Sequence, residues 1–177
     1  TVTGRPLLNI SFALDYALHG LDVRGYHVVN LALHLAAGLT LCGLVRRTLS
    51  RPGISEKLRA HARGLATAAA LVWLVHPLCT ESVTYIVQRA ESLAALLYLL
   101  TLYGFVRAAE SAHARTWLAV SWLACLLGMA AKEVMVSAPL LVWLYDRTFV
   151  AGDFRTALAR RWRYYAMLAT TWLLLAW

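Results

Sequence analysis

Residues 26–45 read YHVVNLALHLAAGLTLCGLV, twenty positions without one Asp, Glu, Lys or Arg. At 1.5 Å per residue a helix of that length reaches about 30 Å, the thickness of a bilayer's hydrocarbon core. Apolar and polar residues do not alternate within it, which argues against a half-buried strand. Shorter runs rich in Ala, Leu and Trp cover 65–75, 93–106, 116–131, 134–145 and 164–177. The expected fold class is therefore all-α, a polytopic integral membrane helical bundle.

Composition agrees. Hydrophobic residues make up 60% of the 177 and charged residues only 15%, where a soluble domain carries about 25% charge. The mean hydropathy is +0.60. A formal charge of +8 suggests nucleic acid, but the basic residues occupy the gaps between apolar runs, where they set orientation. No nucleic-acid partner is expected. Cys42, Cys79 and Cys125 stand apart from one another and from any His at ligand spacing, so they read as packing residues. The chain opens on Thr1-Val2-Thr3-Gly4 and stops inside an apolar run, which reads as an excerpt: residues 1–177 form part of one transmembrane domain.

Lysine and arginine give the topology. Of the 17, 13 fall in the loops 46–63, 107–115 and 146–163, which the positive-inside rule makes cytoplasmic. The chain must then turn twice on the other, extracytoplasmic side, at His76 to Glu91 and at Lys132-Glu133. The second turn is tight, since the 30 residues of 116–145 span about 45 Å as helix, short of two full crossings. Lys132 and Glu133 are accordingly expected below the surface. One unbroken helix over 116–145 is the alternative. Ahead of the first span, Leu7, Ile10, Leu14, Ala17 and Leu18 form one helical stripe and Ser11, Asp15 and His19 another, as in a helix lying in the interface on the external face.

An ionisable residue at membrane depth costs about 2.5–3.5 kcal/mol on insertion scales, so the two external turns are candidate sites. Pro77 suits a helix starting near His76. Continued at 100° per residue, that helix gathers Glu81, Tyr85, Gln88, Arg89 and Ser92 on one polar face. Two readings of the face stay open: a surface on which Arg89 meets a phosphate through its planar donor fork, or an interfacial helix whose Arg and Glu pair in water. Lys132 and Glu133 point about 100° apart and do not pair with each other. Either Lys132 complements an anionic substrate and Glu133 orients Arg89 or a hydroxyl, or the two belong to a structural ion pair with Arg89 or Glu91. Asn30 and His34, four residues apart in the first span, read as packing contacts. Asp15 and Asp22 read as solvated carboxylates. His19, His27 and His76 lack metal-ligand spacing, so no metal is assigned.

The order Arg5-Pro6-Leu7, Gly25-Tyr26-His27-Val28-Val29-Asn30 with His34, His76-Pro77 to Thr80-Glu81-Ser82-Val83, Val87-Gln88-Arg89-Ala90-Glu91, Ala131-Lys132-Glu133 and Leu144-Tyr145-Asp146 resembles the transmembrane O-mannosyltransferases that carry tetratricopeptide repeats. The likeness is strongest to their bacterial branch. It implies a C-type glycosyltransferase fold that moves a sugar, a hexose such as mannose, from a polyprenyl-phosphate donor to a Ser or Thr hydroxyl of an acceptor protein. The bacterial inner membrane and an extracytoplasmic active face are implied with it, and no cofactor beyond the donor substrate. The family's catalytic base precedes the Arg-Pro-Leu motif and its repeats follow the membrane part, both outside these residues. On this resemblance Arg89 and Lys132 are the candidate donor-phosphate contacts, Glu81, Glu91 and Glu133 supporting carboxylates, and His76, Tyr85 and Gln88 site-lining residues. The animal branch commonly has His at the position of Cys79 and Gly at that of Gln88, so acceptor and donor identity do not carry over from it.

Two other classes compete. One is a membrane anchor without catalysis for a repeat domain. The other is a transporter of lipid-linked sugars, which requires polar residues toward the cytoplasmic end, where 116–131 offers only Thr116 and Ser121.

Overall fold

The computed structural model describes residues 5–174, and these form helices and helical turns without a strand. In chain order they are α1 (Pro6–His19), α2 (Val23–Leu49), α3 (Glu56–Ala60), α4 (Ala62–Leu74), α5 (Glu81–Thr84), α6 (Arg89–Ala108), α7 (Ala114–Met129), α8 (Ala138–Asp146) and α9 (Phe154–Ala169). Among the described residues, three stretches are long and apolar enough to cross a bilayer: Val23–Leu49, Ile86–Ala108 and Glu133–Ala151. A fourth, Ala62–Leu74 with Pro77–Thr84, is bent by 59°. The chain is an all-α, polytopic integral membrane protein.

Helices α2, α4, α6 and α7 pack through small residues. Lipid is as apolar as leucine, so close backbone approach and interhelical hydrogen bonds must hold such a bundle. Ala37, Gly38, Ala62, Ala66 and Ala70 are buried along the α2–α4 seam. Between α6 and α7 a Cβ on Gly104 would lie 2.9 Å from the backbone nitrogen of Ser121. The Ser121 hydroxyl donates to the Thr101 carbonyl (2.5 Å) and pairs with the Tyr164 hydroxyl (2.6 Å), tying α9 to the same seam. Gly104→Val is therefore expected to push α6 and α7 apart at a cost of about 1–3 kcal/mol. A lowered thermal midpoint of the full-length protein in detergent would register it, and an unchanged midpoint would contradict the close approach.

Next to this seam Leu97, Phe105, Val106, Cys125, Met129, Met135, Val142 and Leu168 form the apolar core. Helix α8 is closed onto α9 by Asp146. Its fully buried carboxylate accepts from Arg161 Nη1 (2.9 and 3.0 Å) and from the Tyr165 hydroxyl (2.6 Å). Arg161 leaves helical dihedrals (φ −131°, ψ 26°), so α9 is kinked where it reaches the carboxylate. The Leu144-Tyr145-Asp146 stretch is thus a latch, with Tyr145 bonded through its hydroxyl to Thr48 (2.7 Å).

The three basic loops meet at one end of the bundle. Glu110 takes Arg47 at 2.6 Å and Arg51 at 3.5 Å, and Arg51 Nη1 donates to the Phe149 carbonyl (3.2 Å). Their shared end is what the charge argument requires.

The expected turn at Lys132-Glu133 is present, and the alternative of one unbroken helix over 116–145 falls: α7 stops at Met129, the Ala131 and Lys132 amides turn back onto the Gly128 carbonyl, and Lys132 is extended (φ −160°, ψ 144°). Two other expectations need correction. The helix begun at Pro77 does not continue to Ser92. A 3-10 turn over Pro77–Cys79 and the short α5 end at Tyr85, which is extended (φ −108°, ψ 112°), and a second 3-10 turn, Ile86–Gln88, leads into α6. The single polar face is split accordingly, with Glu81 and Tyr85 exposed and Arg89 and Ser92 buried. Finally, α1 turns its apolar stripe outward, Ile10, Leu14 and Leu18 being exposed, while Asp15 faces the bundle, 3% exposed. Asp15 is no solvated loop carboxylate.

Candidate functional site at the polar end

Opposite the basic loops, the polar end is organised around Arg89, the first residue of α6 and wholly buried. Its Nε donates to Asn30 Oδ1 (2.7 Å), Nη1 to the Ser11 carbonyl (3.3 Å) and Nη2 to the Tyr26 carbonyl (3.1 Å). Nη2 also stands 2.5 Å from Asp15 Oδ2. The ring of Phe12 covers the guanidinium at 4.7 Å and that of Tyr26 at 5.8 Å. A guanidinium carries five N–H donors and no acceptor. Here they go to α1 and α2, so one side chain clamps three helices. A buried charge is tolerated only with such pairing, and that is why Asp15 turns inward.

Beside this clamp lies a second, wetter cluster. Lys132 pairs with Glu91, two residues after Arg89, and Arg5 pairs with Glu133 at 3.4 Å. The Lys132 side chain is 23% exposed and that of Glu133 70%, so the expected depth below the surface describes Lys132 and not Glu133. The Leu7 amide donates to the Ala130 carbonyl (3.3 Å), fixing the start of α1 against the α7–α8 turn. Beneath the turn the hydroxyls of Tyr98 and Ser137 pair at 3.0 Å.

The bent segment is held from both sides. His27 Nδ1 meets the Val83 carbonyl (3.1 Å), and the Ser92 hydroxyl donates to the Ser82 carbonyl (3.1 Å). His76 caps the first 3-10 turn by accepting from the Leu78 amide (3.2 Å). Gln88 is half-buried, whereas His76, Glu81, Tyr85 and Glu91 are exposed at this end.

The sequence-derived site residues thus divide. Lys132, Glu91 and Glu133 share one ion-pair cluster with Arg5, which the sequence reading did not include. Arg89 stands in the clamp, and Glu133 orients Arg5 instead of Arg89. Asn30 is a packing residue as expected, with Arg89 its partner. His34, also in the first span, bonds the Leu74 carbonyl through Nε2 (3.0 Å) and stacks on Trp73 at 4.8 Å. Asp15 and Ser11 were missed as clamp residues. The available signal was their four-residue spacing on the polar stripe together with an intramembrane Arg that needed an acid.

Comparison with known proteins gives the family. Protein O-mannosyl-transferase Tmtc3 of Drosophila melanogaster is 32% identical over 166 residues, covering 85% of this chain and 18% of that protein. The human protein O-mannosyl-transferase TMTC4 is 32% identical over 159 residues, 85% of this chain and 21% of its own length. Mouse TMTC1, of the same name, is 37% identical over 106 residues, 60% of this chain and 10% of its own. No protein-family model matches. No solved structure matches significantly. The chain is therefore a homologue of the TMTC protein O-mannosyl-transferases, spanning about a fifth of the length of the curated relatives it matches.

Proposed function

We propose that this chain is the middle of the membrane domain of a protein O-mannosyl-transferase, which moves mannose or a similar hexose from a polyprenyl-phosphate donor to a protein Ser or Thr hydroxyl. The single observation that carries the reading is the Lys132–Glu91 and Arg5–Glu133 cluster, set at one end of a membrane bundle in a chain that is homologous to enzymes of that name. In this reading the polar end faces away from the cytoplasm, in a bacterial inner membrane.

Transfer forms a bond between the acceptor oxygen and the anomeric carbon and breaks the bond from that carbon to the donor phosphate. Negative charge then grows on the departing phosphate oxygen. In this reading Lys132 stabilises it, because an ammonium held by one half-exposed carboxylate can turn from Glu91 to a phosphate. Such electrostatic stabilisation, aimed where charge develops, is commonly the largest single contribution to catalysis. In this reading Arg5 and Glu133 stand beside Lys132, and Glu81, Tyr85 and His76, exposed at the same end, line the site. The acceptor proton goes to a carboxylate supplied ahead of Arg5-Pro6-Leu7 in the longer protein. Arg89 acts as a positioning residue that fixes the helices carrying Glu91 and, through α1, Arg5.

The transport reading loses support, since the Ser121 hydroxyl, a polar step in 116–131, is taken up by the Thr101 carbonyl and the Tyr164 hydroxyl. Membranes containing the full-length protein should transfer labelled mannose from polyprenyl-phosphate mannose to protein above empty membranes. Absence of transfer from several polyprenyl-phosphate sugars would favour the non-catalytic anchor.

A further inference from the structure

At the basic end, away from the cluster just described, three arginines without a partner among the described residues stand close together. Arg46 stands on the last turns of α2, Arg59 on α3 and Arg63 on the first turn of α4. All three are exposed, and among the described residues none makes an ion pair, a side-chain hydrogen bond or a ring contact. Their neighbours behave differently: Glu110 holds Arg47 and Arg51, and Arg107 lies over Trp117 at 4.6 Å. Glu56, the one carboxylate on α3, pairs with neither Arg59 nor Arg63.

These three guanidinium groups line one open groove of about 560 Å³ with Ser50, Ala60 and Ala62. Arg46 on α2 and Ser50 at its C-cap are one turn apart, and Arg59 and Arg63 are one turn apart across the α3–α4 break at His61, so the end of α2 and the α3–α4 edge share the groove. Orientation by the positive-inside rule needs only the number of basic residues near a span. It does not need them gathered without counter-charges around a single opening.

We propose that this groove binds the phosphate group of an anionic glycerophospholipid from the adjoining leaflet. Three planar forks suit the oxygens of a phosphodiester. The amino end of α4 adds positive potential at the same place. The groove lies at the C-terminal end of the candidate span Val23–Leu49, and basic pockets between membrane helices are read by such headgroups. The Ser50 hydroxyl, which donates to the Arg46 carbonyl (2.7 Å), leaves its lone pairs for a glycerol hydroxyl.

The test is native mass spectrometry of the full-length protein released from vesicles of equal phosphatidylcholine and phosphatidylglycerol, for wild type, for R46Q/R59Q/R63Q, and for R155Q/R160Q as an exposed control on α9. Wild type and the control are expected to retain phosphatidylglycerol over phosphatidylcholine, with at least a tenfold fall in that preference for the triple variant. Equal retention by the triple variant, or no preference in wild type, overturns the proposal. In a second arm, millimolar inorganic phosphate is added before release. Displacement of the lipid by phosphate at matched concentration overturns the lipid source, leaving a soluble phosphate site, and undiminished retention supports the headgroup. All the substituted side chains are exposed, so normal elution of each variant on size exclusion is expected.

Discussion

Arg89→Ala is expected to remove most of the folded protein from the membrane, whatever the assay of activity. The substitution deletes the group that joins α1, α2 and α6 and leaves the Asp15 carboxylate buried without a counter-charge. Breaking a buried pair on one side costs about 3–5 kcal/mol, a large part of the 5–15 kcal/mol that typically separates folded from unfolded protein. Removing both partners behaves differently, because an apolar pair of similar volume is often neutral or better. Asp15→Leu combined with Arg89→Leu should therefore recover folded protein relative to Arg89→Ala, seen as a monodisperse peak and a restored thermal midpoint for the full-length chain. Arg89→Lys should recover little, since one ammonium cannot reach Asn30, Ser11, Tyr26 and Asp15 together. If Arg89→Ala is as stable as wild type but inactive, the guanidinium serves the chemistry and the clamp reading fails.

Lys132→Met has the opposite signature. Its partner Glu91 is 47% exposed, and a pair so open to solvent contributes about 0–1 kcal/mol to stability. Folding should hold. Mannose transfer from polyprenyl-phosphate mannose should fall roughly 100–1000-fold, the usual result of deleting one group that stabilises developing negative charge. The loss should appear in kcat more than in KM, because the charge on the leaving oxygen grows only as the sugar bond breaks. Lys132→Arg keeps the charge and should lose less. Transfer by Lys132→Met at the wild-type rate would dismiss Lys132 and leave the enzyme reading intact, whereas a wild type without transfer removes the enzyme reading itself.

Much of the fold was legible because lipid imposes few choices. The uncharged run at 26–45, the basic gaps and the polar turns together determine which ends meet, and the helices pair as that argument demands. Helix breaks were harder to read. At Tyr85 no Pro or Gly marks the change of direction, so 100° spacing carried Glu81, Tyr85 and Arg89 onto a face that the chain does not make. At Lys132 the break was forced by charge counting alone, and it is real. The site was half legible for a related reason. Lys132, Glu91 and Glu133 stand near the turns that the sequence marks, whereas Asp15 and Arg5 reach it only through the docking of α1. An amphipathic stripe does not say whether the polar side meets water or a buried arginine. The outward Ile10, Leu14 and Leu18 answer that only once Arg89 has been placed.

The clamp also sets a schedule for biogenesis. Arg89 follows Ser11 by 78 residues and Asn30 by 59, so α1 has no cationic anchor until α6 has left the ribosome. At about 5–20 residues per second this interval is roughly 4–16 s. Through it the first span sits in the bilayer while Asp15 waits hydrated at the surface, so docking of α1 is a late event in synthesis. Nascent chains stalled before residue 89 should leave α1 open to proteases that the finished protein resists.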